Sequence, residues 1–367
     1  MKKLFLVLSC LAVSFSAFSQ KVKLDAGLTF DYIFDNAEYY RSWELFDVSS
    51  TLHGVRLTPE IGVKMESGNA VHRLRFGIDA VKKAGEGLNP GDAFKEILMY
   101  YDFRLKTKSG ADFEAVAGSY PMTMFDGDWR GSIFDTRALW TNPNSDGMLF
   151  KYRNAKFYAN LGLDWCGMYG DSEHPARREE FFVLSCGRWD FLKSLSLRWT
   201  AAFHHFACSP MVDGVVDSHT LNPMLEWHPD GGLDTLSFSA GAIITYQRDR
   251  IAEQHHSLPS GLFLQQQAGK WGLSIRNSFY WGDDLQPYRA KYGSELYNGL
   301  MMFSTLSDKP AWADEIAIIY EPTISPRLKL GIMLGFDLGS KVDIPGGTGR
   351  IPVYRGCRQS VNLKITL

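Results

Sequence analysis

From Val22 to Phe34 every second residue is apolar: Val22, Leu24, Ala26, Leu28, Phe30, Tyr32 and Phe34 alternate with Lys23, Asp25, Gly27, Thr29 and Asp31. Leu328, Leu330, Ile332, Leu334, Phe336 and Leu338 repeat the period, as do Val361, Leu363, Ile365 and Leu367 at the end of the chain. Further runs fall at 55–63, 157–165, 236–246 and 271–281, whereas 178–190 and 260–268 read in either phase. A period of two puts all the apolar side chains of a segment on one face of a strand. A helix would scatter them around its axis.

Two architectures use such strands. A soluble sandwich or solenoid buries the apolar face, whereas a membrane barrel turns it to lipid and keeps the polar face in a wet lumen. Three features favour the barrel. Many runs reach ten residues or more, enough to cross a bilayer when tilted, while soluble strands average five or six. Aromatic residues gather at strand ends, among them Phe30, Tyr32, Phe34, Trp165, Tyr246, Phe279 and Trp281, as an interfacial girdle requires. Finally, short and long connections alternate.

Short connections are expected near 66–69, 107–111, 153–155, 190–194, 229–233, 268–270 and 324–326. Long ones are expected near 35–48, 83–93, 122–146, 168–177, 207–217, 248–259, 283–312 and 339–355. Eight long loops and seven short turns separate sixteen strands, within a range of about fourteen to eighteen. The predicted fold is all-β: an antiparallel, up-and-down transmembrane barrel with short turns towards the periplasm and long loops outside.

The N-terminus supports export. A basic Met1-Lys2-Lys3, an apolar run from Leu4 to Val13 and a small-x-small Ala17-Phe18-Ser19 make a signal peptide over 1–19, cleaved between Ser19 and Gln20. Residues 20–367 then form one domain, for no linker composition interrupts them. The formal charge of −2, with no basic tail, excludes nucleic acid as an expected partner. Cys166, Cys186, Cys208 and Cys357 have neither metal-ligand nor disulfide-framework spacing and read as free thiols.

Sixteen strands leave room for an aqueous channel. Arg56, Glu60, Arg75, Asp79, Arg104, Arg198 and Arg276 are the main candidates for its lining, either as solvated ion pairs or as a field that selects solutes by charge. The loop MTMFDGDWRGSIFDTRALWTNPNSD at 122–146 mixes signs through Asp126, Asp128, Arg130, Asp135 and Arg137. In position and mixed charge it resembles the inward-folding third loop of general porins, and that resemblance implies a constriction. No G-x-S-x-G, H-E-x-x-H, P-loop or dinucleotide fingerprint is present. His204 and His205 are adjacent on a strand, point to opposite faces and cannot share a metal. His255 and His256 fall in a polar loop. Asp283, Asp284 and Glu295 fit a polar extracellular loop better than acid–base chemistry.

The chain resembles Gram-negative outer-membrane barrels and, more narrowly, the porin-like barrels of the Bacteroidetes. GSYPMTMF at 118–125, FACSPMVDGVVDSHTLNP at 206–223 and WGDDLQPYRAKYGSELYNG at 281–299 carry the narrower likeness. The resemblance implies an outer-membrane location and solute passage. Barrels of this class commonly end in an aromatic residue, whereas this chain ends in Leu367. The expectation is a porin-like channel for small hydrophilic solutes, without enzymatic activity or cofactor. Its expected partners are outer-membrane lipid and lipopolysaccharide, the barrel assembly machinery, small solutes and other copies of itself. The alternatives are a barrel with surface-binding or enzymatic loops, and a secreted soluble all-β hydrolase.

Overall fold

The computed structural model describes residues 22–40, 49–85, 93–127, 136–211, 213–251, 255–285, 307, 309–343 and 349–367. Sixteen long strands form one antiparallel sheet. They are β1 (Val22–Tyr39), β2 (Ser50–Ser67), β3 (Ala70–Lys83), β4 (Phe94–Lys106), β5 (Asp112–Pro121), β6 (Asn144–Arg153), β7 (Phe157–Gly167) and β8 (Glu180–Asp190). The second half comprises β9 (Leu195–Phe206), β10 (Val216–Trp227), β11 (Thr235–Asp249), β12 (Ser260–Lys270), β13 (Leu273–Gly282), β14 (Ala311–Tyr320), β15 (Leu328–Gly339) and β16 (Tyr354–Thr366). Each strand pairs with the next, and β1 closes on β16 with Asp31 opposite Lys364. Closure removes every sheet edge, which a structure immersed in lipid requires.

The usual distribution of side chains is inverted. Leu24 is 75% exposed and Ile97 74%, whereas Asp35 and Asp79 are 1% exposed. The apolar members of the alternation form the outer wall and the charged members the inner wall, as a lipid solvent outside demands.

Strands outlast their apolar rows at the loop end. β1 continues through Asp35, Asn36 and Glu38 to Tyr39, residues expected to begin a loop, because their backbone groups still pair with β2 and β16. One turn is displaced. The connection expected at 268–270 lies at Trp271-Gly272, where both residues have positive φ (55° and 79°). Two successive positive values suit the right-handed twist of a two-residue hairpin, so Trp271 leaves the strand in spite of its apolar phase.

The third long loop turns into the barrel. A 3-10 turn at Met122–Met124 carries Met122 and Phe125 onto the inner wall, where they pack with Tyr100, Val116, Leu149 and Phe182. Gly162 on β7 makes room for the Phe125 ring: a Cβ there would lie 2.3 Å from its Cζ. The loop returns through the helix α1 (Thr136–Thr141). A smaller apolar cluster on the opposite wall joins Met224, Ile243, Phe263, Tyr280 and Ala313 to Leu285 at the start of the seventh loop.

Candidate functional site

The loop end of β9 carries two histidine–carboxylate pairs, one on each face of the sheet. His204 points inward, is 5% exposed, and lies 2.6 Å from Glu180 through Nε2. His205 points outward, and its Nδ1 lies 2.7 Å from Asp217 Oδ1. The strand register places His205 directly opposite Asp217 on β10. The other oxygen of Asp217 accepts Arg250 Nε at 2.7 Å, while Arg250 Nη2 reaches Oδ1 at 3.1 Å. Arg250 lies just beyond β11, and the Asp217 carboxylate holds its guanidinium more firmly protonated than usual.

This geometry has a chemical consequence. A carboxylate on Nδ1 fixes the imidazole so that Nε2 is the basic nitrogen. Nε2 of His205 has no hydrogen bond to the described residues, whereas the same atom of His204 is committed to Glu180. Of the two, the outward histidine is the one equipped to take a proton from a bound molecule.

Its surroundings are aromatic. Trp165 stacks on Phe181 at 5.8 Å, and Phe181 lies 5.1 Å from His205. One step lower, Phe203, His219, Tyr246 and His256 follow one another at 5.4, 5.7 and 5.3 Å. Arg248 stands opposite Asp217 on β11. Trp165 also lines a cavity of about 730 Å³ with Cys166, Met168, Arg178, Glu180 and Phe206. Below His205, β9 presents Leu195, Leu197, Trp199, Ala201 and Phe203 to the outside. At strand rise and barrel tilt these cover roughly 20 Å along the axis. His205 therefore stands at the upper edge of the apolar band.

The inner wall holds all seven lining candidates, and each has a partner of opposite charge. Arg56 pairs with Asp79 and lies 5.0 Å over Trp140. Arg75 joins Asp25 at 2.8 Å and Glu60 at 3.3 Å. Arg104 meets Asp102 at 3.1 Å and Glu114 at 3.0 Å, Arg198 faces Glu226 at 3.9 Å, and Arg276 meets Glu315 at 2.9 Å. Of the constriction candidates, Asp126 binds Lys151 (3.2 Å) and Arg153 (2.9 Å), and Arg137 reaches Asp35 at 3.4 Å. Asp128, Arg130 and Asp135 lie outside the described residues, as do Glu295, Ser19 and Gln20. Cavities of about 230 and 350 Å³ follow this wall and share Arg104.

Asp283 clasps the start of its loop: its N–H donates to Ser260 O at 3.0 Å and its Oδ2 accepts the Ser260 N–H at 3.1 Å. Asp284 follows it into the mouth of the barrel, next to the buried Leu285. The four described cysteines are free, and no group of three metal-ligating side chains occurs among the described residues. Sequence reasoning separated His204 from His205 but missed Asp217 and Arg250. Only the pairing across the loop at 207–215 brings them together, although 206–223 had stood out as a segment.

A closed barrel with an apolar outside and a charged inside is an outer-membrane β-barrel, and solved structures agree on the fold. An anion-selective porin from Comamonas acidovorans superposes with a TM-score of 0.51 at 12% identity, over 95% of this chain and 100% of that one. A loop L8 deletion form of the outer-membrane protein OmpT of Vibrio cholerae gives 0.54 at 8% identity, over 94% and 99%. Outer-membrane expressed OmpT of Vibrio cholerae gives 0.52 at 9%, over 95% and 99%. No curated protein matches the chain. The chain belongs to the Lipid A 3'-O-deacylase-type family, which matches residues 18–346. That membership overturns the expectation of a protein without enzymatic activity. Motif searching could not have anticipated it, because the motifs sought belong to soluble enzymes with contiguous signatures. It also places the protein, with its fold, in the cell outer membrane.

Proposed function

We infer that the protein is an outer-membrane hydrolase that removes an ester-linked acyl chain from lipid A, working from its lipid-facing wall. The observation that supports this reading most is the His205–Asp217–Arg250 arrangement at the upper edge of the apolar band, in a member of a deacylase-type family. His205 Nε2 takes a proton from water as the water oxygen attacks the ester carbonyl. Asp217 orients the imidazole and stabilises its cation. The proton then passes to the departing sugar oxygen as the acyl–oxygen bond breaks, releasing a fatty acid. Arg250 and Arg248 supply positive charge for the developing oxyanion or a neighbouring phosphate.

The test is mass spectrometry of lipid A from a Gram-negative host expressing the chain. The expected result is a species lighter by one acyl chain, absent with His205→Ala although that variant still shows the heat-modifiable mobility of a folded barrel. Unaltered lipid A with the folded wild-type chain, or unchanged product with His205→Ala, would overturn the reading.

A second reading keeps the lumen in use. The charged rows of the inner wall and the two cavities that Arg104 borders support passage of small hydrophilic solutes, with the third loop as constriction. Conductance steps in planar bilayers are expected from a channel. A folded barrel that gives none would remove this reading and leave the first intact.

A further inference from the structure

The outer wall of β12–β14 carries a polar row within its apolar band. On β13 the outward row is Leu273, Ile275, Asn277, Phe279 and Trp281, so Asn277 lies at its centre, four residues from either end. Beside it on β12, register places Gln266, between Leu264 and Ala268 on the same face. On β14 the outward row Trp312, Asp314, Ile316, Ile318 and Tyr320 brings in a carboxylate. The three side chains form a row: Gln266 Nε2 donates to Asn277 Oδ1 at 3.0 Å, and Asn277 Nδ2 donates to Asp314 Oδ1. Gln266 is exposed and the other two are half-buried. At the corresponding depth β3 presents Leu74, Phe76 and Ile78, and β15 presents Ile332 and Leu334.

Hydrocarbon cannot satisfy this row. Each amide has two N–H donors, and Gln266 Oε1 and Asp314 Oδ2 accept no hydrogen bond among the described residues. A charge or an unpaired amide facing acyl chains at mid-depth is costly. Something polar must cover it, and lipid tails carry no polar atom there.

We propose that the outer wall of β12–β14 is the interface through which the barrel associates with further copies of itself. A second copy inserted in the same orientation brings an identical row to the same depth, with no adjustment of tilt or height. Amides are self-complementary, because each donates and accepts, so Gln266 and Asn277 of one copy can bond those of the next and relieve Asp314. Closed cyclic symmetry about an axis normal to the membrane repeats the contact. The neighbouring wall permits close approach: Ala240 and Ala242 on β11 stand opposite Leu264 and Leu262. An unrelated protein would need a matching polar row at the same height.

The experiment places a photo-crosslinking amino acid at 266, or at 332 on the distant β15 wall, in full-length chains carrying two different tags and co-expressed in outer membranes. Irradiation at 266 is expected to give an adduct of twice the monomer mass bearing both tags, at least about tenfold more abundant than at 332. Gln266→Leu, Asn277→Leu and Asp314→Leu combined should convert the assembled protein to monomer on unheated gels and in analytical ultracentrifugation. No adduct at 266, equal adducts at both positions, an adduct with a different protein, or unchanged assembly of the folded triple variant would each overturn the proposal. If the triple variant fails to fold, the crosslinking arm on the otherwise wild-type chain decides alone.

Discussion

His204 and His205 are neighbours in the chain and bear the same group, yet they have become different chemical objects. His204 sits among Phe182 and Phe206 on the inner wall, with its Nε2 committed to Glu180. His205 stands on the lipid side, held through Nδ1, with the opposite nitrogen turned away from its carboxylate partner. Strand alternation separates them, and the choice of ring nitrogen decides their use. The inner pair ties packed elements together, whereas the outer pair leaves a base available at the membrane edge. The wider faces repeat the contrast: the seven lining residues named above are paired with opposite charges on the inner wall, while the outer wall is largely apolar, with polar places at the His205 edge and the Asn277 row.

The largest expected effect follows from breaking the pair on one face only. His205→Ala should lower lipid A deacylation by at least about a hundredfold, and Asp217→Asn should follow it. His204→Ala should leave turnover within about twofold and lower the urea midpoint of unfolding instead. Equal losses of activity from both histidines would erase the distinction.

Inner-wall pairing has its own test. Arg358 grips Asp35 with two bonds of 2.7 and 2.9 Å, and Asp35 is 1% exposed. Arg358→Ala leaves that carboxylate buried with weaker compensation and should cost about 3 kcal/mol, read from urea unfolding of the barrel in detergent. Phe125→Ala empties the space over Gly162 and should cost about 3 kcal/mol by the same measurement, with raised proteolysis of the third loop. A smaller effect is expected from Asp126→Asn together with Asp128→Asn. If the third loop constricts the lumen, ion selectivity should shift by a factor on the order of two; unchanged conductance and selectivity would remove that role.

The smallest effect lies in the fourth loop, outside the membrane. Asp171 accepts the N–H groups of Glu173 (2.9 Å) and His174 (2.7 Å), and these bonds lower its pKa below the usual carboxylate value. A lowered folded-state pKa means that the stabilisation is complete above the unfolded value, near 4. It is lost as pH falls through the folded value. Amide exchange at residues 173 and 174 should accelerate, relative to other amides, only in that acidic window. An acceleration already present at pH 6 would contradict this.

Much of the barrel was legible because lipid imposes a simple rule. Val22 to Phe34 and Leu328 to Leu338 had to alternate, so the strands and their faces could be read from phase alone. Trp271 shows where phase fails: its apolar side chain continues the row, but backbone twist at a two-residue turn outweighs it. The inward course of the third loop was suggested by Asp126 and Arg137. Its anchorage by Phe125 over Gly162 was not, since that contact joins residues on different elements.

The sequence by itself determined a sixteen-stranded membrane barrel and the opposite facing of His204 and His205, because periodicity and loop spacing are local properties. Only the tertiary structure decided that His205 meets Asp217 and Arg250, and that Gln266, Asn277 and Asp314 form one row. Those meetings depend on the register between strands, which hydrogen bonding sets across the sheet and no single segment encodes.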